Sequence, residues 1–393
     1  MALRSISRSL RKQLPPAARS VLLLEPSPSG PPPLDLLRLS TSLRHAGYDV
    51  SLHRGAAADA MCPAPDVAIV TGVFSWDLPV VRRELRWVAD NWDGTTRLLT
   101  GVLARREGSV LAESLSSQLL VTGDLEARLD EVKPDYSLVP DWRTSILITS
   151  KFDYRPDAGL AICPRACAHC RMPKGSDATP RVRLVSSFAQ HIEPRHSSVA
   201  VWDNTLMLTP REHFLRLTRA LADHGAPVDV ACGLMPGGVA EDELRWRIAA
   251  LSDGVRLQVA RLECNAAGEI DRFRRMLALV RRAGESFAER VQVFAVVNAN
   301  EPPVVAWERL ELLRESGAQV EVVFFTPHNW YEARPFVNTA HGWRAADLRR
   351  FHDEWGGFLQ NVELLASDGE EDEGEVHLVP DLEKSMAAFA RQN

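Results

Sequence analysis

Residues Ala158–Lys174 read AGLAICPRACAHCRMPK, and they hold Cys163, Cys167 and Cys170 in a C-x3-C-x2-C spacing. Half of the six cysteines of the chain therefore fall within eight residues. Three thiolates on one short loop can face one centre, and thiolate sulfur suits zinc, copper(I) or an iron–sulfur cluster. A structural zinc site usually takes four protein ligands, and a cubane iron–sulfur cluster usually takes four cysteines. Three cysteines point to a cluster that keeps one iron open. The main alternative reading of the same loop is a zinc knuckle completed by His169; a disulfide is disfavoured, because three cysteines leave one over.

Working outward, the chain has 393 residues, 45% of them hydrophobic and 25% charged, which is an ordinary soluble composition long enough for two or three domains. A formal charge of −6 argues against a generally basic nucleic-acid surface. No run of about 18 apolar residues is present, so no transmembrane helix and no membrane partner are expected, and the chain reads as cytoplasmic. Residues 1–19 are basic without an acid and lack the apolar run of a secretion signal, so a flexible basic tail is expected, with a short amphipathic anchor or a partner arm as the alternative. Cys62, Cys232 and Cys264 are scattered and read as small buried apolar residues.

From Ser20 onward apolar runs alternate with helical patterns. Val21–Leu24, Tyr48–Leu52, Val67–Val73, Leu98–Gly101 and Leu119–Val121 read as strands. Leu34–His45 and Pro79–Asn91 read as helices, with Gly47 as a stop. Such alternation implies a parallel, doubly wound sheet. A linker around Lys133–Leu138, then an expected strand at Ser145–Thr149, lead into a second region. Its expected strands are Gly159–Ile162, Ser198–Trp202, Val228–Ala231, Val255–Val259, Val291–Val297 and Val320–Phe325. Its expected helices are Pro210–Asp223, Glu241–Leu251, Glu269–Arg282 and Val304–Ser316. Thr209 suits the N-cap of the first of these, and Gly225 and Gly317 suit stops. A further helix is expected over Ala345–Glu354, followed by an acidic run at Asp368–Glu375.

The cysteine spacing resembles the signature of the radical S-adenosylmethionine superfamily, with His169 where that family usually has Phe or Tyr. The order of elements, together with Gly47-Tyr48-Asp49-Val50 and Pro134-Asp135-Tyr136-Ser137-Leu138, resembles the class with an N-terminal cobalamin-binding-type domain. The resemblance implies an α/β chain in four parts. These are a tail (1–19), a Rossmann-like doubly wound domain (20–138), a partial (β/α)6 radical S-adenosylmethionine barrel (139–358) and a C-terminal extension (359–393).

It also implies an enzyme whose [4Fe-4S] cluster, held by Cys163, Cys167 and Cys170, cleaves S-adenosylmethionine to a 5′-deoxyadenosyl radical. Cobalamin is an optional second cofactor, and methyl transfer or rearrangement is the outcome if it binds; no D-x-H-x-x-G supplies an axial histidine. The implied electron donor is a small flavodoxin or ferredoxin.

In parallel barrels the chemistry sits at the C-terminal ends of strands. The candidates there are Asp203 and Asn204 for the amino group of S-adenosylmethionine, Arg261 and Glu263 for its ribose and carboxylate, Asn298 for adenine or ribose, and His328 for substrate. Plainer readings stand beside each: an Asx turn at Asp203-Asn204, an ion pair for Arg261 and Glu263, turn formation at Asn298, and a surface loop at His328. Two other functions also fit the chain as a whole: a non-enzymatic cobalamin- or metal-sensing protein, and a zinc-stabilised binding module.

Overall fold

The structure is a computed structural model, which describes residues 2–28, 30–72, 77–101, 118–119, 128–152, 182–203, 205–231, 234, 239–283, 288–327, 334–357 and 359. Cys163, Cys167, Cys170, Asn204, Cys232, His328, the expected strand at Gly159–Ile162 and the acidic run lie outside these residues.

The first unit is a parallel sheet of five strands: β1 (Ser20–Glu25), β2 (Asp49–Arg54), β3 (Val67–Thr71), β4 (Thr96–Thr100) and β5 (Gln118–Leu119), in the order β2-β1-β3-β4-β5. Strand β1 reads as unbroken apolar sequence because both of its faces are buried. Val21 and Leu23 join Val67, Ile69 and Leu98 under α1 (Ala2–Gln13) and α2 (Leu34–His45). Leu22 and Leu24 join Ala68, Val70 and Leu99 under α3 (Leu78–Asn91).

The N-terminus corrects the expectation of a flexible tail. Ile6, Leu10 and Leu14 recur every fourth residue, forming one apolar stripe that is buried in the core beneath α2. The basic side chains have structural work as well: Arg11 donates through Nε to the Ala46 carbonyl at 3.0 Å, where the C-terminal end of the α2 dipole favours a cation.

The second unit is a parallel sheet of six strands: β6 (Thr144–Leu147), β9 (Ser198–Val201), β10 (Val228–Val230), β11 (Leu257–Glu263), β12 (Ala288–Val297) and β13 (Gln319–Phe324). Its spatial order follows the chain, β6 beside β9 and so on to β13 at the far edge. Helices α4 (Arg211–His224), α5 (Glu241–Ser252), α6 (Ile270–Arg282) and α7 (Pro303–Glu315) link successive strands, and α8 (Ala345–Trp355) follows the last.

Strand β6 lies where a strand leading into the second region is expected, at Ser145–Thr149, and stands first among the six described strands of this sheet. Two sequence expectations need correction here. The fourth strand is 257–263 rather than 255–259. Thr209 does not cap α4 either; its hydroxyl donates to the Leu206 carbonyl at 2.7 Å, and Pro210 holds the cap position. Phe214, Leu217 and Leu221 do form the buried face of α4, and Gly47, Gly225 and Gly317 have positive φ at helix ends.

Between β6 and β9 lies an antiparallel ribbon of two strands, β7 (Ser150–Phe152) and β8 (Val182–Leu184), with Phe152 opposite Val182 and Lys151 opposite Arg183. These strands are the chain entering and leaving residues 153–181, the stretch that contains the three cysteines. Among the described residues no helix is long and apolar enough to cross a membrane.

Candidate functional site

All six strands of the second sheet run the same way, so β6, β9, β10, β11, β12 and β13 end at one edge. Thr149, Asp203, Ala231, Cys264, Asn298 and Phe325 follow those ends. The ladders continue into this edge: Trp202 N–H donates to the Leu147 carbonyl at 2.8 Å and Cys264 N–H to the Phe294 carbonyl at 2.9 Å.

Asp203 is buried just beyond β9. Its Oδ1 accepts from Thr149 N–H at 2.6 Å, and its Oδ2 accepts from the Thr149 hydroxyl and, at 3.0 Å, from the Ser150 hydroxyl. Thr205 donates to the Ser150 Oγ at 2.6 Å. The backbone of Thr149 also accepts from Val185 N–H at 2.8 Å. Asp203 therefore pins the first residues of the ribbon. Burial pushes its carboxyl up to about 6, against the hydrogen bonds from Thr149 and Ser150 that pull it down. Above that pH the hydrogen bonds from Thr149 and Ser150 hold the charged form.

Arg261 and Glu263 share one face of β11, as their alternation predicts. Ala260, Leu262 and Cys264 point into the core beneath the helices, so Arg261 and Glu263 point to the opposite face. There Arg261 makes an ion pair with Asp229 of β10 and donates through Nε to Gln292 Oε1 of β12 at 2.8 Å. Its guanidinium also lies 5.6 Å from the Phe294 ring centroid. The face of the sheet opposite this core thus carries a polar row across three strands. Arg261 is thereby tied to a residue of each flanking strand.

Asn298 is placed at the same edge but its amide is already committed. It adopts φ +58°, accepts from Asn338 N–H at 2.9 Å, and donates to the Phe325 and Phe336 carbonyls at 3.1 and 2.6 Å. It fastens the chain beyond β13 to the end of β12. The turn reading of this residue, rather than the nucleoside contact, matches the geometry.

Several residues that matter at this edge carry no sequence signal. Arg309 of α7 is buried, donates to Glu301 Oε1 at 2.7 Å, and reaches the Cys264 and Val296 carbonyls at 2.6 and 2.7 Å. Asp130 and Glu131, on the segment leaving the first sheet, hold the ribbon. Asp130 pairs with Arg38 of α2 at 2.9 Å, with Lys151 of β7 at 2.8 Å, and with Arg183 of β8. Glu131 accepts from the N–H groups of Ser186 and Ser187 at 2.9 and 2.8 Å. Partners as far apart in the chain as Arg38, Asp130 and Arg183 leave no local pattern to read.

The donor set at 163–170 fits a cluster with an open iron, and the described cysteines do not add to it. Cys264 sits in the core beneath the helices, where burial pushes its thiol up to about 12. Cys62 packs beside the α3 core of the first sheet. Among the described residues no group of three or more His, Cys, Asp or Glu is placed to hold a metal ion.

No protein-family model and no curated protein matches this chain. Among solved structures it is similar to Streptococcus suis SuiB bound to S-adenosylmethionine, at 12% identity over 40% of this chain and 33% of that chain, with a TM-score of 0.25. The chain thus matches about a third of the length of SuiB. It is also similar to a point mutant of N-acetyl-L-ornithine transcarbamylase complexed with PALAO, at 9% identity over 76% of this chain and 84% of that chain, with a TM-score of 0.18. At TM-scores this low neither likeness bears on the chemistry.

Proposed function

We propose that the chain is a radical S-adenosylmethionine enzyme whose cluster is held by Cys163, Cys167 and Cys170. The observation that carries the reading is one of placement. The three-cysteine stretch leaves the chain directly after the C-terminal end of the first strand of a parallel sheet whose six strands lie in sequence order. Ligand chemistry in parallel α/β architectures gathers at that end. In this reading the six strands with their linking helices are the partial (β/α)6 barrel, residues 139–358, and the first sheet is a Rossmann-like domain, residues 20–138.

When bound, a [4Fe-4S] cluster supplies one electron to the sulfonium of S-adenosylmethionine, giving methionine and a 5′-deoxyadenosyl radical that takes hydrogen from substrate. The chain's own residues bind and orient. Asp203, through Thr149 and Ser150, holds the root of the cysteine stretch. Arg261, steadied by Asp229 and Gln292, presents a guanidinium for the carboxylate or ribose of S-adenosylmethionine, with Glu263 beside it on the same face. His328 and Asn204 remain candidates for substrate and the amino group.

The first sheet has the β2-β1-β3 reversal at which doubly wound sheets bind ligands. Near its C-terminal edge His53 of β2 is bonded through Nε2 to the Ala56 carbonyl at 2.8 Å. Cobalamin, if this unit holds it, would supply methyl-transfer or rearrangement chemistry. An electron-carrier protein of the flavodoxin or ferredoxin kind completes the proposed system.

The test is anaerobic reconstitution followed by dithionite and S-adenosylmethionine. About four irons per chain and release of 5′-deoxyadenosine are expected, with release abolished in C163A, C167A and C170A. Zinc without iron, and no cleavage, would replace this reading with the binding module.

A further inference from the structure

The ribbon that brackets the cysteine stretch has an electrostatic problem of its own. Lys151 and Arg183 stand directly opposite each other on antiparallel strands, on the same face of the ribbon, and like charges so placed repel. The ribbon is short, three residues a strand, so backbone pairing alone is weak. One carboxylate lies between the two cations. Asp130, nearly inaccessible to solvent, takes Lys151 on Oδ1 at 2.8 Å and Arg183 on Oδ2. On Oδ1 it also takes Arg38, a fully buried guanidinium of α2, at 2.9 Å. Burial works against its ionisation, but the charges of Lys151 and Arg38 and the hydrogen bonds from Lys151 and Arg183 outweigh it and hold the carboxyl below its ordinary range.

We infer that Asp130 is a positioning residue for the cysteine-bearing stretch: by gripping one residue of each strand of the ribbon together with Arg38, it fixes both ends of that stretch against the first sheet. Neighbouring contacts act in the same direction. Glu131 grips Ser186 and Ser187 just past β8, and Asp203 grips Thr149 and Ser150 at the start of β7. Asp130 differs from these in holding both strands at once and in reaching back to α2. What the ribbon carries as a metal centre rests on the proposed function; the grip itself does not.

Hydrogen–deuterium exchange of the full-length chain tests the grip. In D130N the amides of 150–152 and 182–184 should exchange about tenfold faster or more, while β3 and β12 keep wild-type protection. Because D130N leaves a buried guanidinium without its anion and can prevent folding, the double variant R38M/D130N is the second arm. It removes the buried pair together, keeps the Lys151–Arg183 repulsion, and should show the same local acceleration. Wild-type exchange of the ribbon in either folded variant overturns the inference.

A readout that a purely structural role would not move comes from reconstituted protein. R38M/D130N should bind as much iron as the wild type and melt within a few degrees of it, yet cleave S-adenosylmethionine at least about tenfold more slowly. Wild-type cleavage at wild-type iron content overturns the positioning role. If the wild type itself takes up no iron, the exchange arm still decides the grip, and the proposed function alone fails.

Discussion

Asp203 shows how a single buried carboxylate can hold a segment through hydrogen bonds from neutral groups. Thr149 N–H and two hydroxyls satisfy it, and an amide of the same shape can keep the acceptor for that N–H while turning donors toward the hydroxyls. D203N should therefore stay within about 1 kcal/mol of the wild type at pH 7, whereas D203A, which orphans a buried N–H, should cost on the order of 3 kcal/mol; urea denaturation measures both. Asn298 tests backbone strain in the same way. N298A and N298G lose the same side-chain bonds, but only alanine also bears the left-handed φ, so N298A should be less stable than N298G by about 1 kcal/mol. Arg309 is the costliest of these residues to disturb. R309M leaves Glu301 without its guanidinium in the interior and should lose about 3–5 kcal/mol, with E301Q/R309M recovering part of the loss.

At the scale of elements, the helix α1 and the edge strand β13 each make a checkable claim. Leu10 is fully buried beneath α2, so L10A should cost about 2–5 kcal/mol; a frayed tail would tolerate it without change in melting temperature. Basic sequence with spaced apolar residues was legible as amphipathic, yet nothing local says whether its apolar stripe finds a core. The backbone of Gly357 lies close against Val322 of β13. A Cβ on Gly357, at φ +96°, would lie 2.3 Å from the Val322 carbonyl oxygen. G357A should destabilise the β13 edge by at least about 2 kcal/mol, read as a lower melting temperature and faster exchange at 319–324. Strands and helices between 20 and 101 and between 198 and 355 were largely legible, because their apolar spacing reports burial directly. Strand β6 was legible as a strand leading into the second region but not as the first member of the six-stranded sheet, since four residues carry no sign of which strand they pair with.

Across the whole molecule, buried titratable groups pull stability in opposite directions with pH. Burial raises Asp203 to about 6, so its contribution is largest below the unfolded carboxyl range and is lost as pH rises through about 6. Burial, helped by Arg38, lowers His191 to about 4. That contribution is present above the ordinary histidine range and is lost as pH falls through about 4. Burial lowers His196 and His213 as well, in the sense of His191. Stability should therefore fall on acidification from about pH 6.5 to about 4, less steeply than the histidines alone dictate. D203N should steepen the fall and H191Q should flatten it, by on the order of 3 kcal/mol each across the window; denaturation midpoints at several pH values decide this. The two sheets are also joined at neutral groups. Ile146 N–H of β6 donates to the buried Tyr136 hydroxyl oxygen at 2.8 Å, so Y136F should cost about 1–3 kcal/mol by orphaning that N–H.

The sequence by itself determined the alternation of apolar strands and amphipathic helices, the two-region α/β plan, and the cluster of three thiols, because periodicity and short spacings are local properties of a chain. It also placed Arg261 and Glu263 on one face of a strand, since a strand alternates every second residue. Only the tertiary structure decided that Asn298 is consumed by backbone partners, that α1 belongs to the first core, and that Asp203 and Asp130 hold the ribbon around the cysteine stretch. Those outcomes depend on which groups meet across long stretches of chain. A buried charge or amide is defined by its partners, and the partners of Asp130 lie on α2, β7 and β8, brought together only when both sheets are in place.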